Sequence, residues 1–134
     1  MLITTAIHAS CTAAVIRGLR MTHASTWGSR SAARRVSLIS VVVLMMFLAS
    51  LLEASVWAAV YLAVGAIPDL ETALYFSTVT YTTLGYGDVT LDAGWRLLAS
   101  FQAANGTIMF GWTTAIVMAV IHRMVADERT AAAG

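Results

Sequence analysis

Two long apolar runs decide what this chain can become. Val36 to Gly65 carries a single charged residue, Glu53, and Leu97 to Ile121 carries none. The second run lies between Arg96 and His122-Arg123. A helix needs about 20 apolar residues to cross a bilayer, so either run is long enough to span. Non-helical backbone at membrane depth is tolerated only where protein buries it or water reaches it. The segment joining the two runs must therefore dip in and return with protection on all sides.

Within that segment, Pro68 suits the first position of a short helix, where its missing N–H costs nothing. Asp69 and Glu71 fall in the first turn, where carboxylates suit the positive end of the helix dipole. The helix is followed by Thr82-Thr83-Leu84-Gly85-Tyr86-Gly87-Asp88. Such a stretch can aim consecutive backbone carbonyls the same way. Ordinary strands and helices cannot aim successive carbonyls that way, but Gly85 and Gly87 tolerate positive φ at little steric cost.

The block from Ala73-Leu74-Tyr75-Phe76-Ser77-Thr78-Val79-Thr80-Tyr81 through Asp88 resembles the pore helix and selectivity filter of two-helix bacterial potassium channels. The resemblance implies passive conduction of K+, the transported ion, held at Thr83, Leu84, Gly85 and Tyr86, with Gly87 completing the filter. One chain supplies one filter strand, so a ring of carbonyls implies a homotetramer with closed cyclic symmetry. Tyr75, Phe76 and Tyr81 resemble the aromatic cuff that props Tyr86 outward. Gly106 matches the family's hinge glycine counted from Trp95-Arg96, with Gly111 a second candidate; close helix packing is the alternative for both. Two departures stand out. Leu84 replaces the usual valine, with its carbonyl still on the path. Val79 stands where some members carry a buried glutamate that pairs with the filter aspartate. Asp88 then needs another donor, which the Tyr75 phenol can be and Phe76 cannot; otherwise Asp88 faces water and rings the mouth.

Glu53 is costly within a span and is expected to face protein, as a partner for His8 or for a group behind the filter, or as a protonated carboxyl in one structural hydrogen bond. Residues 1–16 are apolar and uncharged. They lack the positive n-region of a secretory signal and the charged face of an interfacial helix. Thr4, His8 and Thr12 form a polar stripe at four-residue spacing, and small residues allow close helix contact. A membrane-inserted helix over 1–17 is the expectation.

The fold expected is all-α and transmembrane: that leading helix, a cytoplasmic linker over 18–35, and a pore domain over 36–124. The pore domain divides into an outer helix 36–65, a pore helix 69–82, a filter 83–88 and an inner helix 94–124. A cytoplasmic tail over 125–134 completes it. Arginines cluster before the first long run and after the last, while the connection carries Asp69, Glu71, Asp88 and Asp92. The positive-inside bias puts both arginine groups in the cytoplasm and the filter mouth outside, as a multi-pass protein of the cell (inner) membrane, embedded in lipid.

Composition excludes other classes. Of 134 residues 59% are hydrophobic and 11% charged, and the net charge is +1, which gives nucleic-acid binding no electrostatic footing. A lone cysteine, Cys11, excludes an internal disulfide. There is no metal-ligand cluster, and no lysine to complete a phosphate-binding glycine loop. His8, Cys11 and Glu53 have no catalytic spacing, so neither an enzyme nor a small-molecule substrate is expected. The rivals to a K+ channel are a weakly selective cation channel and a non-conducting subunit of a channel assembly.

Overall fold

The computed structural model describes residues 1–22 and 32–132. They form four helices, α1 (Leu2–Thr22), α2 (Ala32–Ala63), α3 (Leu70–Tyr81) and α4 (Arg96–Ala132), with no strand among the described residues. Three stretches are long and apolar enough to cross a membrane: Leu2–Arg20, Ala33–Ala63 and Arg96–Ala126. The 12 residues of α3 are too few to cross. α2 is the hub, packed against the other three helices, and α4 also packs on α3 and touches α1.

The helix ends differ from the sequence expectation for identifiable reasons. α2 stops at Ala63 rather than 65 because Gly65 takes φ 71, the left-handed conformation of a helix C-cap. Gly65 N–H then donates to Leu62 O at 3.1 Å and Ala66 N–H to Tyr61 O at 2.9 Å, the paired bonds of a Schellman motif. Pro68 is not the first residue of α3. Asp69 is its N-cap, in extended conformation, and its carboxylate accepts the Thr72 N–H at 2.8 Å. That bond satisfies a donor the first turn would otherwise orphan. α4 starts at Arg96 rather than 94, after a turn in which Trp95 N–H donates to Asp92 O at 2.9 Å.

Two segments expected as irregular are partly helical. α1 continues to Thr22, since Gly18 alone does not end a helix and Arg20 suits the negative end of its dipole. The expected linker over 18–35 thus contracts, and its residues 23–31 lie outside the described residues. The expected tail over 125–134 continues α4 through Ala132, because alanine, arginine and glutamate are good helix formers; 133–134 lie outside the described residues.

Two apolar clusters hold the helices. One sits behind α3 and joins Trp57, Tyr61, Ile67, Phe76, Tyr81, Leu91 and Met109. The other joins Val15 of α1, Val42 and Met46 of α2, and Val120 and Met124 of α4. Val41, Val43, Leu44, Phe47, Leu48, Leu51 and Leu52 of α2 are exposed, as suits a helix whose solvent is lipid. Lipid tails are as apolar as these side chains, so packing fit and polar contacts between helices carry the association.

The two glycines of α4 are not equivalent. A Cβ on Gly106 would lie 2.0 Å from the carbonyl oxygen of Tyr81, whereas a Cβ on Gly111 meets no atom within 4 Å. α4 is one continuous helix through both positions. Close approach to α3 thus requires Gly106 whether or not the helix bends there. Gly106→Ala gains about 1 kcal/mol of helix propensity but must push α4 off the backbone of α3. We expect it to lower the thermal stability of the purified protein, while Gly111→Ala leaves stability unchanged or raised. Differential scanning of the two variants in one detergent checks this.

Candidate functional site

The segment after α3 is built by alternating backbone hand. Thr82 has φ −79, Thr83 φ 59, Gly85 φ 56 and Gly87 φ 79. Positive φ at every second residue turns successive peptide planes to the same side. Hydrogen bonds show which side. Leu84 N–H donates to Val79 O at 2.9 Å and Gly85 N–H to the same oxygen at 3.3 Å. In a trans peptide the carbonyl points opposite to its N–H. The carbonyls of Thr83 and Leu84 therefore both point away from α3, in register. Thr83 holds a left-handed conformation that costs a non-glycine residue about 1–2 kcal/mol, and such strain gathers at functional sites.

Above these residues, the Tyr75 hydroxyl donates to Asp88 Oδ2 at 2.5 Å. Both groups are solvent-accessible. The bond to Tyr75 holds the Asp88 carboxyl below the usual carboxylate range. The same bond raises the Tyr75 phenol. Asp69 is likewise lowered, by the Thr72 N–H that it caps.

Phe76 and Tyr81 turn the other way. Phe76 packs edge-on against Tyr61, ring centroids 5.2 Å apart. Tyr81 is buried and its hydroxyl donates to Glu53 Oε2. The other carboxylate oxygen, Oε1, lies 2.9 Å from Nδ1 of His8 on α1. His8 Nε2 lies 3.3 Å from Thr113 Oγ1 on α4, and the imidazole stacks at a tilt on Trp112 at 5.3 Å. His8 and Glu53 are both 0% exposed. Glu53 thus bonds His8 of α1 and Tyr81 of α3 on opposite oxygens.

A second buried network lies alongside. Gln102 Nε2 donates to Ser77 O at 3.0 Å and to Ser77 Oγ at 2.6 Å. Ser77 Oγ donates to Ala54 O at 2.5 Å, and Tyr61 OH donates to Gln102 Oε1 at 2.6 Å. Trp57 Nε1 donates to Asn105 Oδ1 at 3.0 Å, and Thr4 Oγ1 lies 2.9 Å from the same oxygen. Sequence reasoning passed over Gln102, Ser77, Trp57 and Tyr61. The signal was present: a glutamine inside an otherwise apolar span needs a partner as surely as Glu53 does.

In contrast, the segment from Thr82 to Asp88 is exposed throughout, with Leu84 at 55% and Tyr86 at 68%. Within one chain the aromatic cuff residues do not enclose Tyr86. Among the described residues no group of three His, Cys, Asp or Glu side chains could hold a metal ion.

The sequence matches the family described as "Ion channel" across residues 38–123. No curated protein and no solved structure matches the chain. The matched region takes in most of α2, all of α3, the Thr82–Asp88 segment and α4 as far as Arg123. With two membrane-spanning helices around a short helix and an oxygen-presenting loop, and a match over more than half its length, the chain belongs to this ion channel family.

Proposed function

We propose that four copies of this chain surround one axis and conduct K+ selectively and passively, as a homotetramer of the cell membrane. One observation carries the reading: the Thr83 and Leu84 carbonyls point the same way because the N–H groups behind them are tied to Val79 O. Four such strands make stacked rings of oxygen that replace a cation's water, and several adjacent sites let ions leave by mutual repulsion. The Thr83 hydroxyl, Gly85 and Tyr86 extend the stack, and Gly87 closes it. The exposed Leu84 and Tyr86 side chains are the surface that neighbouring copies cover. Asp88 and Asp92 at the mouth concentrate cations, and the arginines that flank the two long runs, Arg34 and Arg35 at the start of α2 and Arg123 and Arg129 towards the end of α4, set the opposite end in the cytoplasm.

The purified chain in liposomes, with K+ on one side and Na+ on the other, tests this. The reversal potential is expected near the K+ equilibrium potential. Reversal at zero would indicate an unselective cation pore, and an assembled but silent chain a non-conducting subunit. Gly85→Ala places a side chain at φ 56, at a cost of about 1–2 kcal/mol in each copy. It should abolish K+ flux while four-chain assembly, read by cross-linking, survives.

The Tyr75–Asp88 bond gives a pH prediction. The Asp88 value in the folded protein is depressed. The bond's contribution is therefore complete above the ordinary carboxylate range and is lost as pH falls through the lowered value. Sustained K+ current in the native protein should decline as the outer solution is acidified below the carboxylate range. Tyr75→Phe should conduct less persistently at neutral pH and show little further loss in that acid window. Identical pH–current curves for the two proteins would rule out a supporting role for the bond.

A further inference from the structure

The chain of contacts His8–Glu53–Tyr81 crosses three helices and ends two residues before Thr83. Taking the conduction reading above as its basis, we infer that α1 is a working part of the filter support. His8 is a positioning residue that, through Glu53, holds Tyr81 and so keeps the 82–88 segment in its conducting geometry.

Tyr81 is gripped at both ends. Its hydroxyl is held by Glu53 of α2, and its carbonyl lies against Gly106 of α4, where an added Cβ would come within 2.0 Å. A ring held at its tip and at its backbone cannot turn without moving one or the other. The residue that follows is the α3 C-cap, and the next is Thr83 with its strained φ of 59. Slack at Tyr81 is therefore delivered to the one non-glycine residue in the segment that gains by relaxing.

Glu53 can hold Tyr81 only while its own orientation is fixed, and His8 fixes it. The groups that face His8 are Glu53 from α2 and Thr113 and Trp112 from α4. Tyr81 of α3 stands behind Glu53, and Thr4 and Thr12 lie one turn away on α1 itself. Glu53 is the acidic group in direct contact. A buried pair is best kept net neutral. Nδ1 faces Glu53 Oε1 and Nε2 faces Thr113 Oγ1, so each ring nitrogen has a polar neighbour. His8, Glu53 and Tyr81 thus hold one another, and removing the imidazole takes from the buried Oε1 the partner it has on α1.

The test uses the full chain in liposomes, with single-channel recording over a range of K+ concentrations. Ions held between four copies of the segment stabilise its conducting form by mass action, so a loosened filter is rescued by raised K+. His8→Ala and Tyr81→Phe should each lower open probability at low K+ about tenfold, a common size for coupled sites, and recover at high K+. Combined, they should do no more than either alone, since both break one chain of contacts. His8→Asn, whose amide can bond Glu53 from the Nδ1 position, should restore most of the activity. His8→Gln, which keeps bulk but places its amide towards Thr113, should not, and it replaces His8→Ala in the cycle if that variant fails to assemble. Val15→Ala loosens α1 in the distant apolar cluster and should leave the K+ dependence unchanged. The inference is overturned if the His8 variants conduct like the native chain, if their effect multiplies with that of Tyr81→Phe, or if Val15→Ala reproduces it. A native chain silent to K+ sinks the conduction reading itself, and does so before any substitution is made.

Discussion

The last turn of α3 and the segment that follows solve each other's hydrogen-bonding problem. A helix leaves its final carbonyls without intrahelical donors, and an irregular segment at membrane depth has N–H groups that lipid cannot satisfy. Here the carbonyls of Thr78, Val79 and Thr80 accept from Thr82, Thr83, Leu84 and Gly85. For Leu84 and Gly85 this leaves the opposite side of the peptide, the Thr83 and Leu84 carbonyls, with no backbone donor among the described residues. That side must meet water or a cation.

Holding this arrangement in place falls to polar stripes. Glu53, Trp57 and Tyr61 lie at four-residue spacing on α2, so they share one face. Ser77 and Tyr81 do the same on α3, and Gln102 and Asn105 are neighbours on α4. Thr4 and His8 complete the set from α1. Every one of these residues bonds to a residue on another helix. Apolar contact alone would let the helices slide or rotate in lipid at little cost. Each interhelical hydrogen bond contributes about 0.6–2 kcal/mol in such a setting. Taken together they specify register, because a shift of one residue would strand several buried polar groups at once.

Much of this was legible in the sequence because membranes make polar residues conspicuous. Glu53 and the Thr4–His8–Thr12 stripe stood out against apolar surroundings, and Tyr75 was the donor within reach of an aspartate deprived of its glutamate. What the sequence hid was geometry. A glycine that permits bending and a glycine that permits contact look alike until the Tyr81 carbonyl is seen against Gly106. The cuff residues Phe76 and Tyr81 could have faced Tyr86 or the chain's own core, and only the orientation of α3 sends them inward. Trp57 and Tyr61 carry polar tips on large apolar side chains, and those tips bond Asn105 and Gln102. Helix ends went astray where a cap replaced a propensity: Asp69 displaced Pro68 as the start signal, and Gly65 ended α2 early.

The family match begins at residue 38, beyond α1. The matched region nevertheless contains three groups, Glu53, Asn105 and Thr113, whose polar atoms reach toward α1. A two-helix pore that carried them without α1 would expose a carboxyl and an amide to lipid, which is the most expensive place for either. Glu53 and α1 therefore make sense only together. Val79 leaves that position of α3 without a carboxyl, and the same chain places one, Glu53, on α2, where it bonds Tyr81 of α3. The 82–88 segment is flanked by two ties: Tyr75 bonds Asp88 at one end, and before the other end Tyr81, through Glu53 and His8, is joined to a helix outside the matched region.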